Sequence, residues 1–232
     1  MAEQGEQQIT IDLWTDVVCP WCYVGEGRLE EAIRAEELED RVRIRVHSFE
    51  LDPNAPAYSA ADAHTNIEHL RAKFSKGEED VRAMEQHIAG LASEIGREYA
   101  VERPVANTRA IHRVAQSLRE RGATEDFFFA LQRDYFTGAV NPFEEDAILA
   151  AAERAGLDRA SAAEILRDAD RHDDDVDSDV MRAQAMGASG VPFTVFNNKY
   201  AAPGALPVDT YRQALRQLVA ELDAPETNES EA

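Results

Sequence analysis

Residues 9–48 read ITIDLWTDVVCPWCYVGEGRLEEAIRAEELEDRVRIRVHS, and three periodicities follow one another inside this stretch. Ile9, Ile11 and Leu13 alternate with Thr10 and Asp12, the period of two expected of a strand that runs toward Asp16. From Pro20 the spacing changes. Leu29, Ile33 and Leu38, with Glu30, Glu31, Glu36 and Glu37 between them, predict an amphipathic helix ending near Asp40. Pro20 suits its first turn, where a missing N–H costs nothing. Val42, Ile44 and Val46 then alternate with Arg41, Arg43, Arg45 and His47, a second strand, so the stretch is a β-α-β unit.

Beyond it the spacing stays helical for a long way. Val81, Met84, Ile88, Leu91 and Ile95 mark one stripe; Ala110, Ile111, Val114 and Leu118 mark another behind the cap candidates Asn107 and Thr108. Further helices are expected from Thr124 to Phe136, from Glu144 to Ala155 before Gly156, after Asp158, and from Asp173 to about Met186. Together they read as an all-helical insert. The strand signal returns in Val191 to Phe196, an Asn197-Asn198 turn and Lys199 to Ala202, a hairpin. Tyr211, Leu215, Leu218, Val219 and Leu222 form a last amphipathic helix, and residues 223–232 read as a solvated acidic tail. Phe127, Phe128, Phe129, Tyr135 and Phe136 read as core, and His112, on a helix face beside Ile111 and Ala115, as a structural histidine.

The chemistry sits in Cys19-Pro20-Trp21-Cys22. At a strand-to-helix junction the Cys19 sulfur meets unpaired N–H groups and the helix dipole, which favour thiolate over thiol. Thiolate is the attacking species in disulfide exchange, and Cys22, one turn deeper, is placed to resolve a mixed disulfide. This cycle needs neither a metal nor an organic cofactor. Zinc would require four ligands, and His47, His64 and His69 offer no ligand-spaced partner. With only two cysteines, three positions apart, a structural disulfide framework is not supported. Trp21 is expected either to cover the sulfur and meet substrate or to pack on the insert.

Far downstream, Gly190-Val191-Pro192 opens a strand. On this and on Asp16, Val18, the CPWC motif, Gly25, Leu51-Asp52-Pro53, Asn107 with His112, Gly187, Phe193 and Gly204-Ala205, the sequence resembles the DsbA-like thioredoxin superfamily, most closely its FrnE-like branch. The resemblance implies an α/β thioredoxin-like fold: a central mixed sheet flanked by helices, with a large helical insertion. Residues 1–60 and 178–222 would form the thioredoxin-like part and 61–177 the insertion. It implies a protein disulfide oxidoreductase with catalytic Cys19 and Cys22. It also implies a cis Val191–Pro192 bond that sets the Val191 backbone beside the cysteines, and substrate contacts from Pro20, Trp21, Val191 and Pro192. Leu13 departs from the pattern, since several relatives carry a buried acid there; nearby Asp12 reads as an exposed strand residue. The related 2-hydroxychromene-2-carboxylate isomerases and kappa-class glutathione transferases bind glutathione and present serine at the Cys19 position. The intact pair favours redox exchange, with glutathione kept as a candidate co-substrate. A peptide-binding, chaperone-like module is the alternative from another class.

Composition bounds the partners. The 45 acidic and 24 basic residues leave a formal charge of −21, which repels nucleic acid and anionic lipid. Lys73, Lys76 and Lys199 are the only lysines, and the carboxylate-rich, arginine-based composition resembles that of halophilic proteins. Met1 to Gln8 lacks a basic start and apolar stretch, and no run approaches the roughly 18 apolar residues of a membrane span, so a cytoplasmic location is expected. The expected substrates are thiol- or disulfide-bearing proteins, peptides or small thiols.

Overall fold

The computed structural model describes residues 8–224. In chain order it forms β1 (Ile9–Thr15), α1 (Pro20–Ala35), β2 (Val42–Ser48), β3 (His64–Thr65), α2 (Asn66–Phe74), α3 (Glu78–Glu94), β4 (Pro104–Val105) and α4 (Arg109–Ser117). A short 3-10 turn (Arg119–Arg121) leads to α5 (Thr124–Phe136), α6 (Glu145–Arg154), α7 (Arg159–Arg167) and α8 (Asp173–Ala185). The chain ends in β5 (Phe193–Phe196), β6 (Tyr200–Pro203) and α9 (Val208–Leu222). No described helix is long and apolar enough to cross a membrane.

The main sheet has the order β2-β1-β5-β6. β1 pairs parallel with β2, Ile9 opposite Val42 and Thr15 opposite Ser48, and antiparallel with β5, Trp14 opposite Phe193. Burial drives both faces. Ile9, Ile11 and Phe196 pack on Leu29, Ile33, Tyr211 and Leu215 of α1 and α9. On the other side Trp14, Phe193 and Val195 meet Ala183 of α8. A separate core of Ile111, Val114, Leu118, Phe127, Phe128 and Leu131 joins α4 and α5, and both helices reach β2. At the hairpin, Asn197 and Asn198 adopt φ of 48° and 53°, the left-handed pair that a two-residue turn demands.

Four expectations are corrected. α1 stops at Ala35, not near Asp40. Glu37 takes φ 55° while Leu38 N bonds Ile33 O and Glu37 N bonds Arg34 O, a Schellman end that folds Leu38 back into the core. Leu38 therefore kept a helical spacing without being helical. The segment between β2 and β5 is not all helix, because β3 and β4 pair antiparallel inside it. Thr108 precedes α4 but makes no side-chain cap bond; Asn107 Oδ1 accepts from Arg109 N at 2.9 Å instead.

Asp12, finally, is buried rather than exposed. Arg45 clasps it with two bonds of 2.9 and 2.7 Å, and His47 Nε2 lies 2.6 Å away. Burial pushes its pKa up, yet the bonds from His47 and Arg45 win and hold it at about 2. His47 also meets Asp179 of α8 at 3.2 Å, and Asp179, likewise held at about 2, accepts from Ser48 N, Gln116 Nε2 and Arg119. This ionic cluster ties the sheet to α4 and α8. Of the expected acidic tail, residues 225–232 lie outside the described residues, as do residues 1–7.

Candidate functional site

The site begins where β1 ends. Asp16, buried, uses its carbonyl to accept from Cys19 N at 3.1 Å and from Gln132 Nε2 at 3.0 Å. Its carboxylate accepts from Leu51 N at 2.8 Å and from Thr108 Oγ1 at 3.3 Å, so the turn before the cysteines is fixed from three sides. His112 Nε2 lies 3.6 Å from this carboxylate, fully buried and tilted against Phe128.

Cys19 is the N-cap of α1, with φ −79° and ψ 113°, and Pro20 follows in the first turn. Its sulfur accepts from the Cys22 backbone N at 3.4 Å, the kind of bond a capping side chain makes. On the other side the same sulfur lies 3.5 Å from the Val191 carbonyl oxygen. Both cysteines are free thiols. Cys22 is 1 % exposed, and burial, reinforced by the neighbouring Cys19 sulfur, pushes its pKa well above the ordinary thiol value. The Thr15 hydroxyl and an Asp16 backbone bond act in the opposite sense.

The Val191–Pro192 peptide bond is cis. Gly204 N donates to Pro192 O at 2.8 Å, which anchors this loop to β6. Gly25 lets α1 come close: a Cβ there would stand 3.2 Å from both Pro192 Cγ and Ala205 Cβ.

Cys19, Pro20, Trp21 and Val191 line a cleft of about 270 Å³, whereas Cys22 and Pro192 do not reach it. Across it lie Leu70 and Phe74 of α2 and Ile88 of α3. Trp21 is 41 % exposed and Phe74 46 %, so two aromatic rims flank a mostly apolar trough. The charge of Arg103 on its floor is already spent on Glu85 at 2.9 Å, with the guanidinium over the Tyr99 ring. Sequence periodicity missed α2, whose start carries a legible signal, the Thr65–Glu68 capping box. Among the described residues no group of His, Cys, Asp and Glu is suited to hold a metal.

The site thus sets a thiol at a helix N-cap facing a cleft, with a second thiol one turn behind it and a proline loop alongside. The family model of the DSBA-like thioredoxin domain matches residues 10–216. The chain belongs to that family. A probable DsbA oxidoreductase from Streptomyces coelicolor is 32 % identical, with a TM-score of 0.83 over 97 % of this chain and 96 % of that one. The cytosolic disulfide reductase DsbM of Pseudomonas aeruginosa, solved with GSH, shares the fold at 16 % identity and TM-score 0.60, covering 90 % of this chain and 98 % of that one. So does 2-hydroxychromene-2-carboxylate isomerase, at 13 % and 0.62 over 91 % and 97 %. No match was found among curated proteins. Cys19 and Cys22 both lie within the matched residues.

Proposed function

We propose that this DsbA-like protein exchanges disulfides with protein, peptide or small-thiol substrates through a mixed disulfide at Cys19. In the reducing direction the Cys19 thiolate attacks one sulfur of a substrate disulfide. The substrate S–S bond breaks as the Cys19–substrate bond forms, and the leaving sulfur takes the electron pair and then a proton from solvent. Cys22 loses its proton and attacks the Cys19 sulfur, releasing the second substrate thiol and closing a Cys19–Cys22 disulfide. Two electrons have passed to the substrate. The reverse sequence oxidises a dithiol substrate.

The observation that carries this reading is the placement of the Cys19 sulfur between the Cys22 N–H and the Val191 carbonyl, in the lining of the cleft. In this scheme the Thr15 hydroxyl and the Asp16 backbone bond support the Cys22 thiolate as it forms, against the cost of burial. An extended substrate segment lies along Val191 and Pro192, with an apolar side chain against Pro20 and Trp21. No resident cofactor is invoked; glutathione, which the DsbM structure holds, is the small thiol we pair with the site. We assign the activity to the cytoplasm, as for that reductase, because both cysteines are committed to one motif and not to a framework. In the proposed organisation the sheet, α1 and α9 present the sulfurs while α2 and α3 wall the cleft.

The test is reduction of insulin disulfides with glutathione as donor. Replacing Cys19 by Ser should abolish it. If the Cys19→Ser/Cys22→Ser protein suppresses aggregation of an unfolded client as well as the wild type does, the chaperone reading gains; wild-type protein without exchange activity would refute the oxidoreductase reading.

A further inference from the structure

A second cavity, of about 340 Å³, opens beside β2 and shares no lining residue with the cleft at Cys19. Its walls carry Arg43, Arg45 and His47 of β2, Arg119 of the 3-10 turn, Arg182 of α8 and Glu125 at the start of α5. Such a gathering of cations is unexpected in a chain of formal charge −21.

Part of it has a structural reason. Arg45 and Arg119 reach past the cavity floor to the buried carboxylates of Asp12 and Asp179, and His47 lies between those two acids. Yet the Arg45 and Arg119 side chains remain 42 % and 43 % exposed, so each guanidinium keeps N–H groups directed away from its acid. Arg43 and Arg182 have no such reason. Neither forms an ion pair among the described residues: Arg182 lies over the Trp14 ring at 5.3 Å, and Arg43 feels only the field of Glu125. The Glu125 carboxylate is itself occupied by Val46 N at 3.3 Å. Four guanidiniums and an imidazole thus surround one cavity and meet three carboxylates, two of them buried beneath it.

We infer that this cavity binds a dianionic tetrahedral oxyanion, either free phosphate or the phosphate end of a small monoester. A planar carboxylate satisfies one guanidinium fork. Here the guanidiniums that line the cavity come from three separate elements, β2, the 3-10 turn and α8, which suits a group with acceptor oxygens on all sides. The enclosed volume leaves room for a short organic remainder. The chain's formal charge of −21 repels a polyanion, so the ligand is a small molecule and not a nucleic acid.

The experiment is calorimetric titration of the full chain with inorganic phosphate and, separately, with glycerol 3-phosphate, at constant ionic strength balanced by chloride. Saturable binding of one ligand per chain is expected for at least one of them. Tighter binding of glycerol 3-phosphate identifies the monoester, and equal or tighter binding of phosphate identifies the free anion. The double variant R43Q/R182Q should weaken binding by at least about tenfold while insulin reduction stays at the wild-type rate. Should loss of the Arg182–Trp14 contact unfold that variant, R43Q alone, at an exposed position, should still weaken binding about threefold. Heat no greater than for chloride, or wild-type affinity in the folded variant, overturns the inference.

Discussion

The Cys19 sulfur lies 3.5 Å from the carbonyl oxygen of Val191, a residue 172 positions away in sequence. A substrate sulfur that bonds to Cys19 must bring its own backbone alongside that carbonyl. The recognition element is then main chain, and its side chain matters little. Val191→Ala, which keeps the carbonyl, should leave the insulin-reduction rate within about threefold of the wild type. A far larger loss would move recognition to the side chain.

The two thiols should differ sharply in reactivity. Burial raises the Cys22 pKa well above the ordinary thiol value; Cys19 is only 2 % exposed but lines the cleft, which Cys22 does not. Iodoacetamide at neutral pH should give a singly modified native protein, with the label on Cys19 by peptide mass mapping. Cys22 should react only after denaturation. Equal labelling of both in the folded protein would contradict the assignment of attacker and resolver.

Gly25 is where α1 meets the proline loop. A methyl group added there would press on Pro192 Cγ and Ala205 Cβ, each 3.2 Å away, tighter than ordinary contact. Gly25→Ala should cost roughly 1 kcal/mol and Gly25→Val roughly 2–3 kcal/mol of folding stability by overpacking. Because the yielding partner carries Val191, exchange should slow in the same order. Urea melts and insulin turbidity measure the two effects on the same samples.

The Asp12–His47–Asp179 cluster sets a pH dependence. Asp12 and Asp179 are both lowered to about 2 from an ordinary 3.8, so their stabilisation is complete above 3.8 and lost as pH falls through about 2. For Asp12 this amounts to on the order of 2 kcal/mol. His47 is raised above 6.5, so its contribution is complete below that value and lost as pH rises through the raised one. Asp12→Asn should cost about 3 kcal/mol at neutral pH, since Arg45 and His47 lose their shared partner, and should flatten the acid limb of the stability curve. Chemical denaturation at a series of pH values checks both.

The first forty residues after the N-terminal segment disclosed most of the architecture, because a β-α-β unit writes two periods of two around a longer one. The misreadings have physical causes. Leu38 has the spacing of a helix but reaches the core through a Schellman turn after Glu37. Asp12 alternates with apolar neighbours as a solvent-facing residue would, but β1 is a central strand with α8 covering its other face. The partner that makes its burial tolerable, His47 held against Asp179, comes together only in three dimensions. α2 presents only Ile67, Leu70 and Phe74 as large apolar residues, too few for a periodic signal, and so its share of the cleft wall was invisible beforehand. The cysteines themselves were legible because their context is local, while Asp16, which fixes the turn beneath them, works through Leu51, Thr108 and Gln132.

The central claim is that Cys19 attacks and Cys22 resolves. Intact-mass analysis of the wild type, Cys19→Ser and Cys22→Ser proteins after brief exposure to oxidised glutathione tests it most directly. The Cys22→Ser protein should accumulate one glutathione on Cys19, the wild type should lose two hydrogens as it closes the Cys19–Cys22 disulfide, and Cys19→Ser should stay unmodified. Glutathione appearing on Cys22 of the Cys19→Ser protein as fast as on Cys19, or no reaction in any of the three, would contradict it.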